Sequence, residues 1–411
     1  MNMVYRLLAS LILSAVFMVS LVQVAGAQSS TQGYEFNFAP DLWYNDVDGI
    51  RVGIRTRGQV PGTFDDGPHR LDAGLWLGTW FPRVPVSYYV KYTNPIESIS
   101  DFNSEGSYSL TSSIRTGFHR HGMGFDKRWQ PGFNEDEYTE FSAFGGAYRH
   151  FESEYLPFPV LWQDSWTPFL YLNTEHQRFS AAGTWYFRGT VQSGMVNGED
   201  AFSTIQGEVR KRIEPKRSFN IRLRLSGGAI AGDVPPEHRF MASQASAMEW
   251  MNSGFYRAKG TVPSPWMNSG VFQVTGNAPN IRGYSKRDIK AASDGVPIFY
   301  DQYGAFNVEV DYPNYIDYLF AQVPLLGDFL RLRSYLFSDV FTGYAEFAQE
   351  WENLANAGAG FALTLNIPDQ IGKPRGFVLR YDVPFWLSDP EENHDEFRYR
   401  SVVSFGAVIG F

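Results

Sequence analysis

Apolar and polar residues alternate one by one along much of this chain, and that pattern restricts the fold more than any other feature. In Gly49–Arg57, Ile50, Val52 and Ile54 fall on one face, while Arg51, Arg55 and Arg57 fall on the other. In Phe219–Ser226, Phe219, Ile221, Leu223 and Leu225 oppose Asn220, Arg222, Arg224 and Ser226. Trp185, Phe187 and Val191 oppose Tyr186, Arg188 and Gln192, and Val86, Tyr88, Val90 and Tyr92 oppose Ser87, Tyr89, Lys91 and Thr93. A two-residue period is the mark of a β-strand, because successive side chains leave opposite faces of a sheet. Arginines on the second face do not suit the packed core of a sandwich. They suit a strand with lipid on its apolar side and a polar lumen on the other.

The start of the chain agrees with export. Arg6 precedes an apolar run from Leu7 to about Val24, followed by Ala25-Gly26-Ala27 and polar sequence. Residues 1–27 therefore read as a cleaved signal peptide rather than a membrane span. Gln28 follows, and the chain has no cysteine, which excludes a lipoprotein anchor and any disulfide. Removing the leader takes away one base and no acid, leaving 34 basic against 44 acidic residues, so nothing favours nucleic acid as a partner. Beyond the leader no stretch approaches the roughly 18–20 apolar residues of a spanning helix. Aromatics are 17% of the sequence and mean hydropathy is −0.28, as expected where apolar residues are hidden in alternation and aromatics sit at membrane interfaces.

Counting the alternation gives strands near 33–45, 48–58, 70–81, 85–94, 106–121, 138–152, 166–179, 184–194, 201–213 and 217–230. A short strand follows near 268–275, then five at 300–312, 329–340, 355–367, 376–387 and 397–411. The expected fold class is all-β: a transmembrane antiparallel β-barrel of about sixteen strands occupying residues 28–411, an even number as bacterial barrels have. In the last strand Phe397, Tyr399, Val403, Phe405, Ala407, Ile409 and Phe411 share one parity, read as lipid-facing. Phe405, Ile409 and the terminal Phe411 resemble the sorting signal that outer-membrane barrels present for assembly. Tyr312–Asp328 is apolar enough for an interfacial helix, a partner contact or a plug at the periplasmic rim.

Between the strand-rich halves lies Val271–Asp288, VFQVTGNAPNIRGYSKRD, with Arg282 inside Ile281-Arg282-Gly283-Tyr284. Further on, Phe337-Ser338-Asp339 offers an acid. Along 329–339, Asp339 shares the parity of Arg331 and Arg333, opposite Leu330, Leu332 and Leu336, so it points inward. A guanidinium entering the lumen needs a carboxylate, since an unpaired buried charge is costly. Glu309 and Asp382, also inward by parity, are alternative partners.

These features resemble the BamA/TamA/FhaC-like superfamily of outer-membrane barrels, the bacterial surface antigen family. The resemblance covers mainly Val271–Phe411, including EVDYP at Glu309–Pro313, NAGAGFALTL at Asn356–Leu365 and GFVLRYDVPF at Gly376–Phe385. It implies a bacterial outer-membrane location, contact with outer-membrane lipid, and a loop whose arginine locks against an acid on a neighbouring strand. That lock falls here on Ile281, Arg282, Gly283, Tyr284, Phe337 and Asp339. Family members usually carry periplasmic POTRA domains ahead of the barrel. Here about six residues separate the expected cleavage site from the first strand, which implies a separate periplasmic or POTRA-bearing partner, or a reduced member with another task. APDLWYNDVDGIRVGI at Ala39–Ile54 also looks like the start of barrels fused behind zinc aminopeptidases, but no HExxH occurs.

No enzyme, cofactor or metal site is expected. His119 and His121 lie two apart and read as a lumen pair without a third ligand; GFHRHGMGF lacks the serine an outer-membrane phospholipase would place two residues after a histidine. His394-Asp395 reads as solvated loop charge. Arg51, Arg55, Arg222, Arg224, Arg331, Arg333, Arg398 and Arg400 either line an anion path or pair with Glu208, Glu309 and Asp382. Three functions remain open: translocation or membrane insertion of protein or lipid through a seam between the first and last strands, an anchor for a periplasmic or surface hydrolase, and an anion-favouring porin.

Overall fold

The computed structural model describes residues 35–409 apart from 61–69, 133, 135, 197–199, 217–218, 254–255, 278, 295–299, 324–329, 346–348, 368–374 and 391–393. The expected signal peptide, Phe411 and the side chain of Ile409 lie outside the described residues. Sixteen antiparallel strands follow one another in a single sheet, each hydrogen-bonded to its neighbours in sequence. They are β1 Glu35–Asn45, β2 Gly49–Gln59, β3 Arg70–Gly78, β4 Val86–Pro95, β5 Ser104–Arg115, β6 Phe118–Trp129, β7 Tyr138–His150 and β8 Thr167–Ser180. The second half comprises β9 Gly183–Val196, β10 Asp200–Lys216, β11 Phe219–Gly232, β12 Gln302–Tyr312, β13 Leu330–Ala345, β14 Glu350–Ile367, β15 Arg375–Leu387 and β16 Val402–Ile409.

The sheet is built inside out relative to a protein folded in water. Ile50, Val52 and Ile54 of β2 are 52%, 50% and 52% exposed, whereas Arg51 between them is 3% exposed. On β13, Leu336 and Val340 are exposed while Asp339 is fully buried. Apolar side chains outward and charges inward are what a sheet bathed in lipid requires.

One connection fills the concave side. Residues 233–301, between β11 and β12, carry three short helices: α1 Ala247–Asn252, α2 Ser264–Asn268 and α3 Ser285–Asp294. Ser246 and Glu249 start α1 with a reciprocal capping box, each side chain accepting from the other's backbone N–H at 3.2 Å. The connection reaches strands across the whole sheet. The Lys259 carbonyl accepts from Asp46 N between β1 and β2 (3.3 Å). Asn252 Oδ1 accepts from Arg120 of β6 (2.9 Å) and Asn277 Oδ1 from Arg188 of β9 (2.6 Å). Gln273 N donates to the Val403 carbonyl of β16 (2.8 Å). A single loop touches the first, middle and last strands only if the sheet curls around it, which makes the sheet a barrel. Among the described residues β1 and β16 do not pair with each other.

The total of sixteen strands agrees with the sequence reading, yet two of the strands differ. Residues 106–121 do not form one strand, because Thr116 (φ 50°) and Gly117 (φ 70°) make a two-residue turn with both φ positive, joining β5 to β6. Residues 268–275 add no strand to the sixteen-stranded sheet; Phe272 makes one parallel bridge to Val403 at the edge of β16. The hairpin also inverts the parity of the two histidines. Arg120, Gly124 and Asp126 line the lumen side of β6. His119 and His121 lie on the opposite face, that of the exposed Met123, with their rings 5.6 and 6.1 Å from the half-exposed Trp166.

The last strand is shorter than its alternation suggests. Phe397 and Tyr399 precede β16 and are exposed, and Phe405 is only half exposed because its ring packs 5.2 Å from Phe272 of the loop. At the opposite end of the barrel from the 233–301 connection, α4 Tyr315–Gln322 forms within the segment read as an interfacial helix, a partner contact or a plug.

Candidate functional site

The centre of the inserted loop is Arg282, and strand register brings its partners to one place. Asn307 of β12 lies directly opposite Asp339 of β13, and Asp339 directly opposite Asn356 of β14. These three side chains form a row across the lumen face. Asp339 is 0% exposed and accepts from Asn307 Nδ2 at 2.9 Å and Asn356 Nδ2 at 2.8 Å. Arg282 completes its coordination with two parallel bonds, Nε to Oδ2 at 2.8 Å and Nη2 to Oδ1 at 2.6 Å. A planar guanidinium matched to a carboxylate in this way fixes orientation as well as distance. The Phe337 ring lies beneath the guanidinium, 3.7 Å from Cζ.

Glu309 and Asp382, expected as alternatives, take part together. Arg282 Nη1 donates to Glu309 Oε1 (3.1 Å) and stands 3.7 Å from Asp382 Oδ1. Glu309 also accepts from Arg333 (2.9 Å) and from Arg380, and Tyr335 donates to Asp382 (2.5 Å). Burial works against the charge on Arg282, but Asp339, then Asp382 and Glu309, outweigh it and hold its pKa above the ordinary arginine value.

The neighbouring residues seat the loop backbone. Ile281 is fully buried with Ala242, Tyr300 and Phe341, and its N–H donates to the Ala242 carbonyl (3.0 Å). Gly283 has φ +90°, and a Cβ there would lie 2.8 Å from Leu387 Cδ2, so glycine is needed for both backbone and space. Tyr284 sends its hydroxyl to the Ala355 carbonyl of β14 (2.8 Å). Asn356 Nδ2 also donates to the Arg282 carbonyl (2.9 Å). Chemically, the site holds one loop pose in a lumen from which these polar groups could otherwise not withdraw without loss.

Asn307, Asn356, Tyr335 and Arg380 were not singled out by sequence reasoning. The two asparagines carry the lumen parity of β12 and β14, but only the register shows that they flank Asp339. Most lumen arginines are neutralised: Arg51 by Asp48 (3.3 Å), Arg55 by Asp41 (3.6 Å), Arg222 by Asp311 (2.6 Å), Arg224 by Glu208 (2.7 Å). Arg333 likewise meets Glu309 (2.9 Å) and Asp311 (2.8 Å). Arg398 and Arg400 lie before β16, where Arg400 Nη2 donates to the Asp395 carbonyl (2.7 Å).

The edge of β16 forms a second part of the site. Val403 N donates to the Val271 carbonyl (2.7 Å), and its carbonyl accepts from Gln273 N. Tyr256 of the loop donates its hydroxyl to the Phe405 carbonyl. The Gln273 amide nitrogen is anchored in turn by the Ser243 carbonyl (2.7 Å).

No protein-family model and no curated protein matches the chain. Among solved structures it is similar to BamA from Haemophilus ducreyi lacking POTRA domains 1–3, at 12% identity and a TM-score of 0.47, over 92% of this chain and 71% of that one. It is also similar to a bacterial polysaccharide outer membrane secretin, at 9% identity and a TM-score of 0.37, over 93% of this chain and 100% of that one.

Proposed function

We propose that the chain is an outer-membrane barrel of translocation type that passes or inserts a polypeptide or lipid together with a partner protein, without a catalytic step or cofactor. The observation that carries this reading is that, among the described residues, the β16 edge is covered by Val271–Gln273 of the loop and not by β1. An uncovered sheet edge is a template for another strand. Here the cover is short. It contributes two backbone hydrogen bonds, each about 0.5–1.5 kcal/mol net, and the Phe272–Phe405 ring contact, so an incoming strand that offers the same bonds and an apolar side chain can take its place. The Arg282 network would then keep the rest of the loop in place while the edge is exchanged, the locking role that the RGY resemblance implies.

The experiment is site-directed photo-crosslinking from positions 272 and 403 in the native membrane, followed by mass spectrometry. Recovery of unfolded outer-membrane clients or a POTRA-bearing protein supports translocation. A single folded hydrolase in stoichiometric amount replaces it with the anchor reading. One observation favours that second reading: α4 presents Tyr315, Ile316, Tyr318 and Leu319 to the outside, between 46% and 75% exposed, a surface suited to a partner at that rim.

A further inference from the structure

A cavity of about 370 Å³ lies in the lumen between β4–β8 and the inserted loop, away from the Arg282 network. Its charge is unlike the rest of the interior. Lys91, Arg115, Arg120 and Arg257 line it, with Asp126 as the one carboxylate in the lining. Elsewhere on the lumen face arginines meet acids; among the described residues neither Arg115 nor Arg120 has an ion pair. Each is held by aromatic rings instead. The Arg115 guanidinium lies 4.8 Å from the Tyr89 centroid and the Arg120 guanidinium 4.8 Å from that of Phe144. Arg120 is also fixed by Asn252 Oδ1 of α1 at 2.9 Å. Stacking orients a guanidinium without cancelling its charge, which leaves its N–H donors directed along the ring plane.

The rest of the lining mixes hydroxyls with the apolar side chains of Phe118, Ala143 and Met251. Ser109, Thr111 and Ser113 of β5 contribute hydroxyls at alternate positions. Thr116, in the β5–β6 turn, is 2% exposed and its hydroxyl has no hydrogen-bond partner among the described residues. A buried hydroxyl left unbonded in the same lining as Arg115 and Arg120 is costly unless something else satisfies it.

We propose that this cavity binds a small hydroxyl-bearing phosphoester of the monosaccharide phosphate class, taken from the water of the lumen. More than one cation calls for a multiply charged anion, and guanidinium forks match phosphate oxygens in pairs. The row of hydroxyls and Asp126 match sugar hydroxyls. The volume lies at the lower end of small-molecule sites, which suits one sugar ring rather than a polymer. The cavity lies on the lumen side of the sheet, away from lipid, so the ligand class is the free, water-soluble phosphoester and not a glycolipid. This inference stands apart from the translocation reading and does not depend on it.

The test uses the full-length barrel folded in neutral detergent, titrated calorimetrically with glucose 6-phosphate, glucose, inorganic phosphate and a phosphorylated glycolipid. Glucose 6-phosphate binds saturably with one site per chain, glucose does not, and inorganic phosphate binds at least about tenfold more weakly for want of the hydroxyl contacts. Arg115→Gln and Arg120→Gln each weaken glucose 6-phosphate by about tenfold or more while both variants keep the heat-modifiable migration of a folded barrel. Arg149→Gln, at an exposed pair with Asp164, leaves binding unchanged. Absence of saturable binding, equal binding of glucose or inorganic phosphate, indifference to both arginine variants, or preference for the glycolipid overturns the proposal.

Discussion

The Val403 amide donates to the carbonyl of Val271 at 2.7 Å, so the last strand of the barrel completes its bonding with the chain's own inserted loop. Phe272 and Val403 are bridge partners in this parallel contact. Paired residues of adjacent strands stand about 4.8 Å apart. That lies within the span a disulfide tolerates. The natural chain has no cysteine, so a double variant Phe272→Cys/Val403→Cys gives an unambiguous readout. Oxidation links the two and shifts migration on non-reducing gels, and reduction reverses it. Failure to link in the folded barrel, under conditions where a surface control pair reacts, contradicts the edge contact.

Replacing Arg282 leaves Asp339 buried with its two asparagines but no counter-charge. Breaking a buried pair by removing one member costs about 3–5 kcal/mol. Arg282→Ala is therefore expected to lower the heat-modification midpoint and increase conductance fluctuation as the loop loosens. Arg282→Lys recovers only part of the loss, because an ammonium cannot bridge both carboxylate oxygens. The double variant Arg282→Ala/Asp339→Asn should cost less than the sum of the two single changes, since it removes the stranded charge along with the bond. Additive effects in that cycle would mean that the pair does not act as a unit.

The inward direction of Asp339 follows from counting parity against Leu330, Leu332 and Leu336, and the structure agrees because strand alternation is a rigid geometric property. Parity fails where the chain turns without an obvious signal. Thr116-Gly117 lacks the Asn-Gly or Asp-Gly pair that marks a tight hairpin, so the alternation runs on through it, and His119 and His121 land on the wrong face. Register is a further step removed. Nothing in the linear order says that Asn307 and Asn356 stand opposite Asp339, since that depends on how far each strand slides before pairing. The segment 268–275 looks like a strand and does bond like one at Phe272, but it meets the edge of β16 through a single bridge and adds no strand of its own.

Two acids in the loop make its seating pH-dependent. Burial pushes the Glu237 carboxyl up to about 7 and the Asp288 carboxyl up to about 6, against the backbone hydrogen bonds that each accepts. Among the described residues Glu237 Oε2 and Asp288 Oδ1 are buried without hydrogen-bond partners, positions where a bound proton is favoured. The folded state therefore retains protons that the unfolded chain releases at lower pH. The associated stability is complete below the ordinary carboxylate range and is lost as pH rises through about 6 for Asp288 and about 7 for Glu237. Heat-modification midpoints should fall between pH 5 and pH 8, and the fall should shrink in Glu237→Gln/Asp288→Asn. An unchanged slope in that variant assigns the pH dependence to other groups.

Gly283 offers a sharper test of how tightly the loop is seated, because its demand is steric and not electrostatic. Its φ of +90° is disfavoured for any residue with a Cβ, and the added carbon would stand 2.8 Å from Leu387 Cδ2 and 3.1 Å from Pro384 Cγ on β15. Gly283→Ala should destabilise by roughly 1–3 kcal/mol, combining backbone strain with overpacking. Gly207 on β10 has nothing within 4 Å of the corresponding position and is the matched control. Gly207→Ala should change stability by no more than about 0.5 kcal/mol. If the Gly283 variant melts with the control and its loop resists protease equally, the tetrapeptide is not held against β15 and the loop sits elsewhere in the lumen.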